Sequence, residues 1–298
     1  AYYGIYVEDN PQVASTTYAL YATGGHIVQT AGQIKHKGEI TDDATTELSG
    51  PDEIAVVGRY AYVAAYTDSG VEVLDISSPT GTPVHVGSIT DAGSTELSNA
   101  SGITVQGRYA YVAAYTDAGV EILDISDPTR PRHVGKFSDT TSTNLDGASS
   151  ISVQGRYAYV ASADVDNGVE ILDVSDSANP QHVGAISDNA TTELNGAYGI
   201  TVHGRFAYVA SYIDDGVEIL DVSDPANPVH AGAITDTAAT ELDGARDIVV
   251  QGRYAYVAAD ADDGVEVLDI SNPLSPSHIG AITDDTTTAL DGAFRLTL

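Results

Sequence analysis

Short hydrophobic runs separated by polar turns recur along this chain, and the same set of runs returns about every 48 residues. The last complete unit contains the runs ARDIVVQG, RYAYVAAD, GVEVLDIS and SHIGAITD, with Gly, Asp, Asn and Pro between them. Runs of this length, rich in Val, Ile and Tyr, predict β-strands. The unit lacks the 3.6-residue period of an amphipathic helix, so we expect an all-β protein.

The repeat is most regular at the string G-R-Y/F-A-Y-V, whose arginine stands at Arg59, Arg108, Arg156, Arg205 and Arg253. Four strands per 40 to 50 residues is typical of one antiparallel blade of a β-propeller. A degenerate further unit is visible at Thr17–Ala22, at Gly25–Thr30 and around His36. The sequence therefore predicts a six-bladed β-propeller with four-stranded blades over residues 15–298.

The third run of each unit reads V-E-V-L-D or V-E-I-L-D, followed by I/V-S and, in most copies, a proline. Copies start at Val71, Val120, Val169, Val217 and Val265. This pattern resembles the LVIVD-repeat family of β-propellers, although Glu72 and its equivalents stand where that family is more apolar. The resemblance implies the propeller fold. It implies no activity, because propellers carry unrelated functions.

The innermost strand has seven copies for six predicted positions. Copies occur at Ile5, Ile54, Ile103, Ile151, Ile200, Ile248 and Leu296. We expect the C-terminal copy to complete the first blade and close the ring. Residues 1–14 would then form an N-terminal arm with a surplus strand, whose residues Tyr2, Tyr3, Ile5, Tyr6 and Val7 could pair with a second copy of the chain by β-strand addition. An arm lying on its own ring is the alternative.

Several polar residues repeat in every unit and are expected to be structural. Arg59 opens the second strand and Asp75 closes the antiparallel third strand, so the two should form a pair that holds each blade. Histidines recur in the outer strands, for example His85 and His133, and should be exposed there. Outer strands of different blades are too far apart for these histidines to share one metal.

The two residues before each innermost strand differ most between copies. Such non-repeated positions should ring one mouth of the central channel, where a ligand-binding site for an anionic or sugar ligand would lie. The candidate residues are Asp52, Glu53, Tyr198, Arg246, Asp247, Phe294 and Arg295. Drift at positions that the fold does not constrain is the alternative.

Two further sets of residues have weaker patterns. The loops after the second strands contain Asp164 and Asp166, and Asp260, Asp262 and Asp263, which resemble a calcium loop but are one residue short of its spacing. Ordinary turn chemistry is the alternative. Asn99 and Asn189 lie in N-glycosylation sequons.

Charge and composition restrict the partners. The chain has 43 acidic and 12 basic residues, a formal net charge of -31, and no cysteine. This charge repels nucleic acid and anionic lipid and attracts cationic partners. The absence of cysteine excludes disulfides and thiolate metal sites. Ala1 as first residue and the absence of methionine favour a mature secreted chain or a trimmed one.

These observations favour an extracellular or cell-surface structural protein that assembles with itself through the N-terminal strand. A propeller that binds a small ligand or glycan at the channel mouth is the alternative. A hydrolase with Asp52, Glu53 and Asp247 as acid and base is a third hypothesis. Because no nucleophile–base motif, phosphate loop or zinc signature is present, the sequence predicts a protein that is not an enzyme and has no cofactor, calcium excepted.

Overall fold

Five four-stranded antiparallel sheets follow one another along the chain, each formed by one repeat. They belong to a computed structural model that describes residues 20–21, 39–43, 45–77, 82–284, 290 and 292–297. We number these sheets as blades 1 to 5 of an all-β propeller. None of the described residues forms a helix that could span a membrane.

Within each blade the chain runs outward from the innermost strand to the outermost strand. The first strands are β2 (Pro51–Val57), β6 (Ala100–Gln106), β10 (Ala148–Gln154), β14 (Ala197–His203) and β18 (Ala245–Gln251). The second strands are β3 (Tyr60–Ala65), β7 (Tyr109–Ala114), β11 (Tyr157–Ser162), β15 (Phe206–Ser211) and β19 (Tyr254–Ala259). The third strands are β4 (Gly70–Asp75), β8 (Gly119–Asp124), β12 (Gly168–Asp173), β16 (Gly216–Asp221) and β20 (Gly264–Asp269). The fourth strands are β5 (Val84–Thr90), β9 (Arg132–Ser138), β13 (Gln181–Ser187), β17 (Val229–Thr235) and β21 (Ser277–Thr283).

The hydrophobic core lies between neighbouring blades. Tyr62 and Val73 of blade 1 pack in one cluster with Leu97, Ile103 and Val112 of blade 2, and the same layer recurs up to blade 5. A middle strand is covered on both faces by the adjacent blades. This explains why its sequence, such as Y-A-Y-V-A-A, is almost continuously apolar instead of alternating with polar residues.

An arginine–aspartate pair joins the second and third strands at the same end of every described blade, as the repeat predicts. Arg59 donates a hydrogen bond to Asp75, and its guanidinium lies 5.4 Å from the centroid of the Tyr60 ring. The equivalent pairs are Arg108–Asp124, Arg156–Asp173, Arg205–Asp221 and Arg253–Asp269. These pairs repeat unchanged, so they serve the blade rather than a single site.

A buried glutamate in each third strand holds the histidine of the fourth strand. The side chain of Glu218 is fully buried; its Oε1 lies 2.7 Å from His230 Nδ1, and the Glu193 N–H donates to its Oε2 at 3.1 Å. Burial raises the pKa of Glu121 and of Glu218 to about 7. The other pairs are Glu72–His85, Glu121–His133, Glu170–His182 and Glu266–His278. The histidine side chains are 36 to 39% exposed, and each has a structural partner.

The C-terminal strand occupies a sixth innermost position. Strand β22 (Leu296–Thr297) lies beside β18, and the Leu296 N–H donates to Asp247 Oδ2 at 2.6 Å. It pairs with β1 (Leu20–Tyr21), which belongs to the T-Y-A-L-Y-A segment predicted as its partner. The pairing is parallel, whereas the repeat predicted an antiparallel pair.

The prediction of six four-stranded blades was wrong for the described residues, which form five such blades. The remaining unit lacks the ties that hold the others, since Thr17, Ile27 and Thr30 stand where the repeat has the paired arginine, the buried glutamate and the paired aspartate. Its predicted strands at Gly25–Thr30 and around His36, and the arm at residues 1–14, lie outside the described residues.

Candidate functional site at the channel mouth

A β-bulge at the start of each innermost strand carries one non-repeated side chain. The register of the first strand on the second shifts at this residue in all five blades. A bulge leaves the extra residue out of the ladder and re-aims its side chain. The bulge residues are Asp52, Ser101, Ser149, Tyr198 and Arg246. The variable positions therefore coincide with the positions that the ladder leaves free.

Arg246 lies inside a group of three aromatic rings. Its guanidinium carbon is 4.1 Å from the ring centroid of Phe294, 4.7 Å from that of Tyr198 and 4.9 Å from that of Tyr212. Its Nε donates to Asp260 Oδ2 at 3.2 Å. Each such cation–π contact contributes roughly 0.5 to 2 kcal/mol. The result is an aromatic wall with one charge pair at its edge.

The wall continues through two more tyrosines. The rings of Tyr198 and Tyr212 are 5.8 Å apart, and those of Tyr66 and Tyr115 are 6.1 Å apart. Burial, together with the nearby Tyr198 and Asp164, raises the pKa of Tyr115 to about 12. The sequence did not predict Tyr66, Tyr115 or Tyr212 as part of this site. The feature that could have indicated them is a tyrosine directly after the second strand of blades 1, 2 and 4. Blades 3 and 5 have Ala163 and Asp260 at this position.

Arg295 crosses the channel below this wall. Its Nε donates to Asp52 Oδ1 of blade 1 at 3.2 Å, and its Nη2 donates to the Ser149 carbonyl of blade 3 at 3.3 Å. The side chain is only 8% exposed. Its Nη1 is buried and has no hydrogen-bond partner among the described residues. The residue directly before β22 thus reaches across the axis with its side chain.

Two carboxyl groups beside Arg295 are held by main-chain N–H groups of the innermost strands. Glu53 Oε2 accepts from the Ile103 N–H at 3.0 Å, and Asp247 accepts from both Ile248 and Leu296. Burial raises the pKa of Glu53 to about 8, against the opposing effect of Arg295. Burial also raises the pKa of Asp247. Burial alone would lower the pKa of Arg295, but the nearby carboxylates of Asp52, Glu53 and Asp247 have the larger effect and raise it. The raised pKa favours the protonated form of Glu53 at neutral pH.

Glycines allow the innermost strands to approach closely at this level. A Cβ on Gly102 would lie 2.7 Å from Ser150 Cα, and one on Gly199 would lie 2.7 Å from both the Arg246 carbonyl oxygen and Asp247 Cα. No side chain fits at such distances without movement of the backbone. The channel is thus narrow where Arg295 crosses it.

The seven residues predicted at the mouth lie together in two connected groups. Asp52, Glu53, Asp247 and Arg295 form the charged floor, and Tyr198, Arg246 and Phe294 form part of the wall. We call the whole arrangement the mouth site.

The aspartates of the two predicted calcium loops serve other contacts. Asp166 accepts the Asp146 N–H, Asp262 accepts the Asp243 N–H, and Asp263 accepts the Gly292 N–H. Asp260 pairs with Arg246, and Asp164 packs beside Gly147. Within the described part of the chain, no three acidic or histidine side chains converge as a metal site would require. These contacts account for the loops as turns, and calcium binding stays a prediction.

The two sequons differ in their surroundings. The Asn99 side chain donates to the Tyr66 carbonyl at 2.8 Å and accepts from Thr116, so its amide is used within the fold. Asn189 is exposed and caps its own loop by accepting from Thr191. Of the two, Asn189 offers the more accessible amide. The residues of the predicted assembly strand, Tyr2 to Val7, lie outside the described residues.

Solved structures with the same fold come from proteins with different names. A Bacteroides fragilis protein described as a candidate 6-phosphogluconolactonase is 15% identical, with a TM-score of 0.64 over 80% of this chain and 72% of its own. The periplasmic gluconolactonase of Pseudomonas aeruginosa is 16% identical, with a TM-score of 0.60 over 76% and 69%. Kuenenia stuttgartiensis hydrazine synthase is 16% identical, with a TM-score of 0.60 over 87% and 72%. A search of curated proteins found no match.

These likenesses correct the expectation that the protein is not an enzyme. That expectation rested on missing catalytic motifs, but proteins named as lactonases carry this fold. At 14 to 16% identity they show the fold alone. The absence of a nucleophile–base motif is therefore no argument against catalysis, because an acid–base site needs only carboxylates brought together by the fold.

The repeats themselves identify the family. The family model described as the LVIVD repeat matches residues 51–91, 98–139, 147–188, 196–236 and 244–284. Each match coincides with one of the five blades, and together they span more than half of the chain. This confirms the resemblance seen in the third strands: the chain belongs to the LVIVD repeat family.

Proposed function

We propose that the mouth site binds a small polyhydroxylated ligand and hydrolyses it where that ligand is a sugar lactone. The observation that supports this best is the carboxyl group of Glu53, held by the Ile103 N–H beside the Asp52–Arg295 ion pair and next to a wall of tyrosines. Aromatic faces pack against the apolar faces of sugars, and a few charged groups then fix the hydroxyls. The names of the gluconolactonases supply the choice of substrate.

The reaction needs one acid and one base. Water attacks the carbonyl carbon, the bond from that carbon to the ring oxygen breaks, and the ring oxygen takes up a proton. In our proposal Glu53 donates this proton and the Asp52 carboxylate accepts the proton of the attacking water. Arg295 donates to Asp52 and the Ile103 N–H donates to Glu53, which keeps each carboxyl group in place. General acid–base catalysis of this kind contributes about 10²- to 10⁴-fold in rate.

The test measures acid release from gluconolactone at pH 6 above the spontaneous rate, together with calorimetric binding of gluconate. We expect turnover by the native protein, a loss of at least tenfold in Glu53→Gln, and no loss in Glu39→Gln, an exposed control residue. Tyr198→Ala should weaken gluconate binding. Native protein that neither binds gluconate nor exceeds the spontaneous rate would refute the proposal.

Self-assembly is the second candidate function. It is supported by the position of β22, which fills the sixth innermost position and leaves the surplus copy at Tyr2, Tyr3, Ile5, Tyr6 and Val7 without one. Pairing of this strand with a second copy would be a heterologous contact, which makes filaments unless it closes on itself. On this proposal the protein works outside the cell or on its surface.

Assembly is tested by removing residues 1–14. The intact protein should form larger particles as salt rises, because screening weakens the repulsion between copies with a net charge of -31. Light scattering and electron microscopy at matched salt would follow both proteins. Equal assembly of the truncated protein, or a monomeric intact protein at every salt concentration, would rule out this role for the arm.

We also propose that residues 15–38 supply the sixth blade. Ile234 of blade 4 packs into the core shared with blade 5, but its equivalent Ile282 of blade 5 is 51% exposed. A sixth blade would cover that face. Ile282→Asp should then destabilise the protein as strongly as Ile234→Asp does. A harmless Ile282→Asp would show that the face is open to solvent.

A further inference from the structure

Side chains of blades 1 and 5 bind the C-terminal strand at the sixth innermost position. Arg246 contacts the Phe294 ring, Asp52 accepts from Arg295, and Asp247 accepts the Leu296 N–H. Three consecutive residues of the C-terminal strand are thus each bound by a separate group on blade 1 or blade 5. We call these groups, with Glu53, the closing-strand site.

Two of the other junctions between innermost strands use small, uncharged groups, whereas Glu53 accepts the Ile103 N–H between β2 and β6. Ser101 Oγ donates to the Ala148 carbonyl at 2.9 Å, and Ser149 Oγ donates to the Ala197 carbonyl at 3.1 Å. Gly102, Ser150 and Gly199 stand where the C-terminal strand has Arg295. Among the innermost strands that the structure describes, an ion pair between two strands occurs only where the chain closes on itself, between Arg295 and Asp52.

The sequence contains one competitor for this position. The N-terminal copy A-Y-Y-G-I-Y-V aligns Tyr3 with Phe294, Gly4 with Arg295 and Ile5 with Leu296. It would keep an aromatic ring for Arg246 and a main-chain N–H for Asp247. It would bring no guanidinium to the carboxyl groups of Asp52, Glu53 and Asp247.

Because of those carboxyl groups, the C-terminal copy should bind at this position much more strongly than the N-terminal copy. Asp247 is 4% exposed, and Arg295 is the basic side chain that contacts Asp52 at the floor. Removing one partner from a buried ion pair leaves an uncompensated charge, which is strongly destabilising. A strand with glycine at this place would leave the charges of Asp52 and Asp247 unpaired.

We infer that Asp52, Glu53 and Asp247 form a selective binding site for a strand that carries arginine after an aromatic residue. The site accepts the C-terminal strand Phe294–Thr297 and rejects the N-terminal copy. This inference is independent of the proposed hydrolysis. It also explains how a chain with seven copies of one strand closes in a single way.

The inference is tested in the full-length Arg295→Gly variant, whose closing strand has the glycine of the N-terminal copy. Labelled peptides G-A-F-R-L-T-L, G-A-F-G-L-T-L and A-Y-Y-G-I-Y-V are added, and binding is followed by fluorescence anisotropy. We expect the arginine peptide to bind at least tenfold more tightly than the two glycine peptides. Equal affinities would overturn the inference.

A second measurement does not depend on exchange of the strand. Arg295→Gly should lower the thermal midpoint, and adding Asp247→Asn should restore part of the loss because it removes one unpaired charge while keeping an oxygen for the Leu296 N–H. Asp247→Asn alone, in the native background, should not raise the midpoint. Equal effects of Asp247→Asn in both backgrounds would show that the carboxylates do not select the arginine.

Discussion

The guanidinium of Arg295 donates a hydrogen bond to the main-chain carbonyl of Ser149 on the opposite side of the channel. Six innermost strands surround the axis, and β10 is the third strand from β22 in either direction, so the two lie opposite each other. A contact between opposite strands resists an opening of the ring that neighbouring contacts alone would permit. The C-terminal strand is therefore fixed both to its neighbours and across the axis.

Deleting residues 294–298 should therefore open the ring. The deletion removes Phe294 from Arg246 and leaves Asp52 and Asp247 without Arg295. Loss of a partner from a buried pair alone costs about 3 to 5 kcal/mol. We expect the thermal midpoint to fall by roughly ten degrees or more, as measured by circular dichroism. A midpoint equal to that of the native protein would contradict ring closure by this strand.

The pKa of Glu53 predicts how stability changes with pH. The folded value of about 8 lies above the ordinary value of 4.5, so the folded protein keeps a proton that the unfolded chain has lost. This group's stabilising contribution is complete below pH 4.5 and falls by up to about 1.4 kcal/mol per pH unit as pH rises towards 8.

Glu53→Gln keeps an oxygen for the Ile103 N–H but does not titrate. Urea unfolding at pH 5, 6, 7 and 8 should show the variant gaining stability relative to the native protein as pH rises. Glu39→Gln, at an exposed position, is the control. Parallel pH profiles for Glu53→Gln and the native protein would contradict the raised pKa.

The buried glutamates of the blades predict a contrast between two substitutions. Glu218→Gln can still accept the Glu193 N–H and contact His230, and it removes a charge that burial disfavours above pH 7. Glu218→Ala leaves the Glu193 N–H without its acceptor and opens a cavity. At pH 8 we expect glutamine to match or exceed the native free energy of unfolding and alanine to lose about 2 to 3 kcal/mol. Equal losses in both variants would mean that the charged form is required.

Gly199 should be sensitive to the smallest substitution. A methyl group there would lie 2.7 Å from Asp247 Cα, whereas one on Gly93 would have no heavy atom within 4 Å. Forcing extra atoms into a packed position typically costs about 1 to 3 kcal/mol. Gly199→Ala should therefore destabilise the protein by that amount and Gly93→Ala by less than about 0.5 kcal/mol. Chemical unfolding of both variants measures the difference.

The sequence predicted those features that repeat or that visibly break the repeat. The copies of G-R-Y-A-Y-V were enough for the four strands and the arginine–aspartate pairs, and the variable pair was enough to find Arg246, Asp247 and Arg295 at the mouth. The number of four-stranded blades was predicted wrongly because the first unit matches the strand pattern of the repeat but has Thr17, Ile27 and Thr30 in place of the residues that hold a blade together.

Other features had little or no signal in the sequence. The Ser149 carbonyl that accepts from Arg295 is a main-chain atom, so no residue type marks it. Tyr66, Tyr115 and Tyr212 follow the second strand in only three blades and meet only because the blades are arranged around one axis. The Glu218–His230 contact joins two repeated residues whose register depends on a bulge between β16 and β17.

Because Arg295 bonds to Asp52 and to the Ser149 carbonyl across the axis, we expect the mouth to be a blind cup and not a tunnel. Any molecule that enters must leave by the opening it came through, so a product has to depart before the next molecule is admitted. A long polysaccharide cannot be threaded through the ring and can offer only its end to the cup. The position of one arginine thus favours monomers and chain ends over internal segments of a polymer.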